Sequence, residues 1–474
     1  MRILSTVAVV FATNIIDYLL GTVSIAVVSK GLSVAEYGFN SLLAAVLGFS
    51  VSVFGLGLNL YVYQKIPGLE IGARYRVVKT TLSFELLVAL VGVTAVTVIL
   101  RAQLAAYGVV WLFVGKALLL ICITELSRFL NLEKKITARS ILALVDSRGL
   151  LLVIFIVWGI AGLTLRRLLL ADVINSVIVL MGLFILVGPK RFIAAKLDFS
   201  VFREAMRFCF PLLIIDFGTF FLEIGNRYII PLFCSIEELG YFSYAFNWMK
   251  VISRFAFLFV YIAQPFMAEH YNRWRSSGEQ AEYDRFTATV RVCTKYSLVT
   301  LGLCIIFFIA NFEDIVLFFS KKAYLASFWI AVALIGYPFL YLLGTLATML
   351  KVLQRQGNRA LVIYVSVTVL NVAGNFALVL LFKTVGAAVA TSFSYAVFAV
   401  WMYRSSSMQV SQIVMKARDA VKVAALLIGF LVANLVLERV HVPFLPRTAA
   451  LLGVAAGLFF VLKIPSRADI ALFR

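Results

Sequence analysis

The sequence predicts an all-α polytopic membrane protein of about 14 transmembrane helices, built as two six-helix lobes in parallel repeat plus two C-terminal helices. Three observations carry this. Of 474 residues, 63% are hydrophobic and 14% are charged, and the mean hydropathy is +1.01. A soluble domain is about 45–50% apolar and about 25% charged. Apolar stretches long enough for a hydrocarbon core, roughly 20 residues each, recur along the whole chain. Two short segments of the first half return in the second. The composition excludes a water-soluble enzyme, and its apolar content excludes a disordered chain.

The expected spans, in order, begin with 4–28, 38–63, 80–100, 107–127, 141–160 and 168–188. The first could pass for a signal peptide. Its apolar run reaches Ser29 without a small-x-small exit, so it reads as an uncleaved helix. The second contains Gly55-Leu56-Gly57, small residues that let helices approach closely. The basic stretch Lys190 to Arg207 then divides the chain, and 208–233, 241–266, 292–311, 325–350, 360–382 and 385–403 follow. Between 266 and 292, Trp274, Arg275, Tyr283, Arg285 and Phe286 suggest a short interfacial amphipathic stretch. Spans 420–437 and 448–462 fall outside the repeat. The expected domains are therefore an N-lobe at 1–189, a cytoplasmic linker at 190–207, a C-lobe at 208–404 and two extra helices in 405–474.

The repeat pairs Ile15-Ile16-Asp17-Tyr18 with Ile214-Ile215-Asp216-Phe217, and Ser33 to Ser41 with Ser235 to Ser243. An even number of helices separates the copies, so both share one orientation across the membrane. Such lobes would enclose a midplane cavity that rocking opens to either side.

With 43 Lys+Arg against 23 Asp+Glu, the formal net charge is +20. In a soluble protein that would suggest nucleic acid; here it reports topology, and no nucleic-acid partner is expected. With the N-terminus inside, basic residues outside the spans favour the cytoplasmic side about three to one, which places both termini in the cytoplasm. Five cysteines without a CxxC pair and two distant histidines give no metal site or disulfide framework. There is no Walker A pattern, and no cofactor is expected. Nor is an enzyme. A polymerase or glycosyltransferase would need sizeable loops bearing paired carboxylates, whereas Glu237-Glu238 and Glu313-Asp314 sit in short ones.

Charges at membrane depth are costly and usually face a cavity. Lys250 and Arg254 share a helix face at i, i+4 with no acid in the apolar part of that helix. They suit an anion such as a diphosphate or acidic sugar, or a salt bridge to a neighbouring helix. Lys116 has no acid within one turn and is a cavity candidate. Arg148 lies two residues from Asp146, off its face. Arg227 follows Glu223 by four residues, so the two can neutralise each other or serve substrate and coupling ion. Lys295 can snorkel to the headgroups. The matched acids Asp17 and Asp216 have no basic residue at i±3 or i±4, which suits proton or sodium coupling, or interhelical hydrogen bonding as protonated acids. Asn14, Asn59, Asn371 and Asn375 could bind sugar hydroxyls or bond across helices.

Several segments resemble the Wzx-type polysaccharide flippases of the multidrug/oligosaccharidyl-lipid/polysaccharide exporter superfamily. They are Pro211-Leu212-Leu213, Asn226-Arg227-Tyr228-Ile229-Ile230, Glu238 to Ala245, Leu353 to Asn358, and Gly386-Ala387-Ala388-Val389-Ala390-Thr391. The family often has Asp-Arg-Tyr where this chain has Asn226-Arg227-Tyr228. The resemblance implies a flippase of the bacterial inner membrane. It would carry an undecaprenyl-diphosphate-linked oligosaccharide, such as an O-antigen unit of lipopolysaccharide, to the outer leaflet by ion-coupled alternating access. Implied partners are the lipid-linked oligosaccharide, membrane lipids, a polysaccharide polymerase and a chain-length regulator. The alternative is a cation-coupled multidrug or small-solute antiporter, but exporters of organic cations should have an acid-dominated cavity.

Overall fold

A computed structural model describes residues 2–55, 58–66, 69–133, 135–149, 162–354, 357–405, 415–465 and 469. All regular structure among them is helical. The chain forms two compact units, Met1–Ser243 and Tyr244–Arg474.

The first unit contains α1 (Arg2–Gly31), α2 (Val34–Phe54), α3 (Leu58–Lys65), α4 (Ile71–Ile99), α5 (Arg101–Ala106), α6 (Val110–Leu132) and α7 (Ile136–Leu144). A π-turn at Val145–Gly149 follows, then α8 (Leu165–Val187), α9 (Pro189–Ala194), α10 (Phe199–Ile224) and α11 (Asn226–Phe233). The long α12 (Ile236–Ser277) runs on into the second unit. There follow α13 (Gln280–Ala310), α14 (Phe312–Phe319), a 3-10 turn at Lys322–Ser327, α15 (Phe328–Ala333), α16 (Gly336–Leu353), α17 (Gly357–Arg404), α18 (Ala417–Arg439) and α19 (Phe444–Val461).

Eight described helices are long and apolar enough to cross a membrane, or ten if two bent pairs each count as one span. Their apolar windows are only 11% to 56% buried within the protein. Residues such as Trp111, Ile99 and Val461 are largely exposed. That much uncovered apolar surface needs lipid as its solvent. The chain is an all-α, multi-pass membrane protein. The two expected spans, 360–382 and 385–403, follow each other along α17, which is two helices meeting at a kink at Lys383, where φ is 52°. Close behind the bend, a Cβ on Gly386 would lie 1.9 Å from the Leu378 carbonyl oxygen, so only glycine fits. The expected span 141–160 is described only as far as Gly149.

The repeated segment has a physical reason in both copies, because each opens a helix. Ser33 Oγ accepts from the Glu36 amide, and Glu36 Oε2 accepts from the Ser33 amide, a reciprocal capping box on α2. Ser235 Oγ accepts from the Glu238 amide on α12. One turn further, Gly38 and Gly240 face each other. A Cβ on Gly38 would stand 2.1 Å from the Ile236 carbonyl oxygen, and one on Gly240 2.3 Å from that of Val34. The helices cross backbone to backbone there.

In the first unit, α4, α6 and α8 pack around Tyr75, Val78, Phe129 and Leu183. The basic linker is tied to that core. Lys79 Nζ donates to the carbonyls of Ile193 and Ala195 at 2.7 and 2.8 Å, and Tyr75 donates to that of Val187 at 2.5 Å. In the second unit, the two C-terminal helices are pinned to α13 and α14. Asn311 donates to Asn434 at 3.0 Å, and Arg447 pairs with Asp314. Lys295 donates to Asp469 at 2.5 Å and to the Ile464 carbonyl at 3.0 Å. Lys295 is therefore buried and paired, and does not reach for headgroups.

Candidate functional site

In the first unit, several polar groups come together where α1, α6, α8 and the π-turn meet. Lys116 of α6 is buried, and its ammonium donates to Asp172 at 2.8 Å and to Ser176 at 2.6 Å. Both partners sit on α8 at i, i+4, hence on one face. Asn175, on the same helix, donates to the carbonyls of Val145 and Asp146 at 3.2 and 3.0 Å. Both carbonyls belong to the π-turn. Such turns favour functional sites. Ser147 in the turn donates to Asp17 of α1 at 2.6 Å, and Asp146 lies within electrostatic reach of Lys116 and Asp172. The expected cation Lys116 and acid Asp17 are thus brought to one polar network. Arg148 lies in the same turn, its side chain outside the described residues.

A second group forms around the break between α10 and α11. Gly225 separates Glu223, half-buried at the end of α10, from buried Arg227 at the start of α11. Asp216 lies on α10, its side chain outside the described residues. Phe49 of α2 sits amid Phe217, Phe220, Phe221 and Tyr228, with ring centroids 5.8–6.3 Å away. Sequence alone does not choose among 41 Phe and 19 Tyr; folding brings this cluster together from α2, α10 and α11.

Lys250 and Arg254 lie on α12 within the second unit. Lys250 is half-buried, its ammonium 5.2 Å from the Phe246 ring centre, and Arg254 is exposed. Asn375 donates to the backbone and side-chain oxygens of Asn371 along one helix, so this amide pair bonds lengthwise along α17. The side chains of Asn14 and Asn59 lie outside the described residues.

Three important residues are absent from the sequence expectations. Asp172 is one. The others are Glu85 near the middle of α4 and Glu125 on α6, both 1% exposed. Arg128 pairs with Glu125 one turn along α6. The i, i+3 spacing of Glu125 and Arg128 was the available signal.

No protein-family model matches the sequence, and no curated protein does. The fold is nevertheless shared. The lipid II flippase MurJ, in an inward closed conformation, matches 98% of this chain and 99% of its own, with a TM-score of 0.76 at 13% identity. The chain has the MurJ fold. An inward-facing multidrug resistance MATE family transporter of the MOP superfamily matches 86% of this chain and 95% of its own, with a TM-score of 0.61 at 13% identity. The MurJ match leaves too few residues outside it to omit either α18 or α19, whereas the MATE match does not need to include both.

Proposed function

We propose that this protein is a flippase that moves a lipid-diphosphate-linked oligosaccharide from the cytoplasmic to the outer leaflet by ion-coupled alternating access. The likeness to MurJ over nearly the whole chain, the two C-terminal helices included, carries this reading over the drug-antiporter alternative. In it, Lys250 and Arg254 meet the diphosphate, with Lys116, Arg148 and Arg227 as further cationic contacts. Asp17, Asp216 and Glu223 couple transport to an ion. The rings around Phe49 offer faces on which sugars can stack. A bacterial inner membrane, cytoplasmic termini, and a polymerase and chain-length regulator as partners belong to the same proposal.

Lys116 sharpens the mechanism. Its ammonium already holds Asp172 and Ser176, so an anionic substrate must compete with a carboxylate at 2.8 Å. Lys116 can therefore report occupancy by exchanging partners, while the exposed Arg254 is open to first contact.

The test is deletion followed by complementation. A strain without the protein should accumulate a lipid-linked glycan in the inner leaflet and lose it from the surface. The wild-type gene should restore it. The Lys250→Ala/Arg254→Ala variant should restore at least about tenfold less, since each charged hydrogen bond contributes about 1.5–3 kcal/mol. Lys250→Arg and Arg254→Lys should retain more. Unchanged surface glycan with altered drug susceptibility would establish the antiporter instead.

A further inference from the structure

Glu85 and Glu125 stand apart from the residues of the proposed transport route, and their chemistry is unusual. Both carboxyls are buried inside the first unit. The Glu85 side chain is within hydrogen-bonding reach of that of Glu125, yet Glu85 Oε1 and Glu125 Oε2 meet no donor from the protein. Two acceptor groups that face each other in a dry interior need something between them. Arg128 satisfies the other oxygen of Glu125.

The charge count says what is missing. Two ionised carboxylates and one guanidinium leave a net negative charge buried among apolar helices, a costly arrangement. One proton makes the cluster neutral and turns the acceptor pair into a donor–acceptor pair. A second proton would leave Arg128 without a counter-charge. Among the described residues, no other charge compensates it. The charged groups acting on Glu85 are Glu125 and Arg128. Cys122 of α6 is the further titratable neighbour. From α2 the approach is made by Gly55, where an added Cβ would stand 3.9 Å from Glu85 Oε1. Among the described charged residues of α2, α3, α9 and α10, none of Glu36, Lys65, Lys190, Arg191, Arg203, Glu204 or Glu223 acts on it.

We propose that Glu85 and Glu125 form a proton-binding site, in which one proton bridges the two carboxyls and Arg128 balances the charge that remains. The proton comes from solvent and returns there; no other bond is made or broken. α2 ends at Phe54 with Gly55 as its cap, so the pair lies against the end of a helix. The proposal does not rest on the flippase reading, because proton occupancy can be measured without transport.

The experiment is infrared difference spectroscopy of the purified full-length protein in lipid nanodiscs, in light and heavy water, from neutral to alkaline pH. The wild type should show a buried carboxylic C=O stretch at neutral pH that moves on deuteration and vanishes on alkalinisation. Glu85→Gln should abolish that band, because the glutamine amide donates to Glu125 without a titratable proton and keeps the cluster neutral. Cooperative thermal unfolding would show the variant folded. A folded Glu85→Gln protein that keeps the whole band overturns the proposal. If that variant does not fold, the wild type decides. A protonated carboxyl lost with release of one proton supports the site, and a spectrum without it at neutral pH refutes it.

Discussion

Lys116 shows how a single residue can be placed correctly and still be misjudged in character. Its position inside an apolar stretch marks it as an embedded cation, and it is buried. Its counter-ion Asp172 lies 56 residues away, on a helix that only folding brings alongside. Local spacing shows partners at i±3 and i±4 and no others. The same blindness hid the Glu85–Glu125 pair, whose members sit on α4 and α6. Removing one partner of a buried ion pair strands the other, at a cost of about 3–5 kcal/mol, whereas replacing both by neutral groups of similar size is often nearly neutral. Asp172 keeps some exposure, which puts the cost toward the lower end. Lys116→Met alone should therefore lower stability by about 3 kcal/mol, and Lys116→Met/Asp172→Asn should regain most of it. Denaturation of the purified variants in one detergent measures both. Equal losses for single and double variants would show that the loss does not come from stranding Asp172 without its counter-ion.

Elements were legible where period and length decide, and less so where backbone contact does. The repeat between Ser33–Ser41 and Ser235–Ser243 is visible as text. Its content is structural: a serine N-cap and, one turn on, a glycine at a helix crossing. The sequence places a boundary between two spans at 382–385, and the two helices of α17 meet there at a kink. The cause is a left-handed residue, Lys383, followed by a return so close that Gly386 has no room for a Cβ. These glycines make a graded prediction. Gly386→Ala places a methyl 1.9 Å from a carbonyl oxygen that belongs to the same bend. Gly38→Ala places one 2.1 Å from a carbonyl oxygen of the crossing helix. Both should fall in the severe class of substitutions, more than about 4 kcal/mol or failure to accumulate. Gly453→Ala, with nothing within 4 Å, should be silent. Yield of monodisperse protein and its melting temperature separate the cases. If Gly38→Ala behaves like Gly453→Ala, the α2–α12 crossing is not a close backbone contact.

At the scale of the molecule, the all-helical multi-pass class could be read from composition, because no polar faces exist to support a soluble fold. Orientation came from charge alone, and it can be tested at exposed sites. On a background in which the five native cysteines are replaced, a cysteine at Lys321 should react with an impermeant reagent added outside intact cells, and one at Lys190 should not. Lys134 and Arg355, also expected inside, lie outside the described residues, and Arg447 is buried against Asp314, so these make poorer probes. The reverse labelling pattern would invert the topology and with it the direction of transport. Coupling is the deeper whole-molecule question. A bound ion drives alternation only if it binds the two arrangements unequally. In the proposed coupling, Asp17 would report such a difference, because Ser147, which donates to it, belongs to a π-turn whose backbone is held by Asn175 of α8. A rearrangement of that turn would change the donors that the carboxylate meets. Asp17→Asn keeps an oxygen to accept from Ser147 and removes only the charge. Asp216→Asn makes the same change at the matched position of α10. Each should leave binding of the lipid-linked substrate near the wild-type level in reconstituted vesicles, yet reduce flux driven by an imposed ion gradient. If both variants keep full gradient-driven flux, the two aspartates serve only to join helices, and coupling passes to Glu223 at the α10–α11 break.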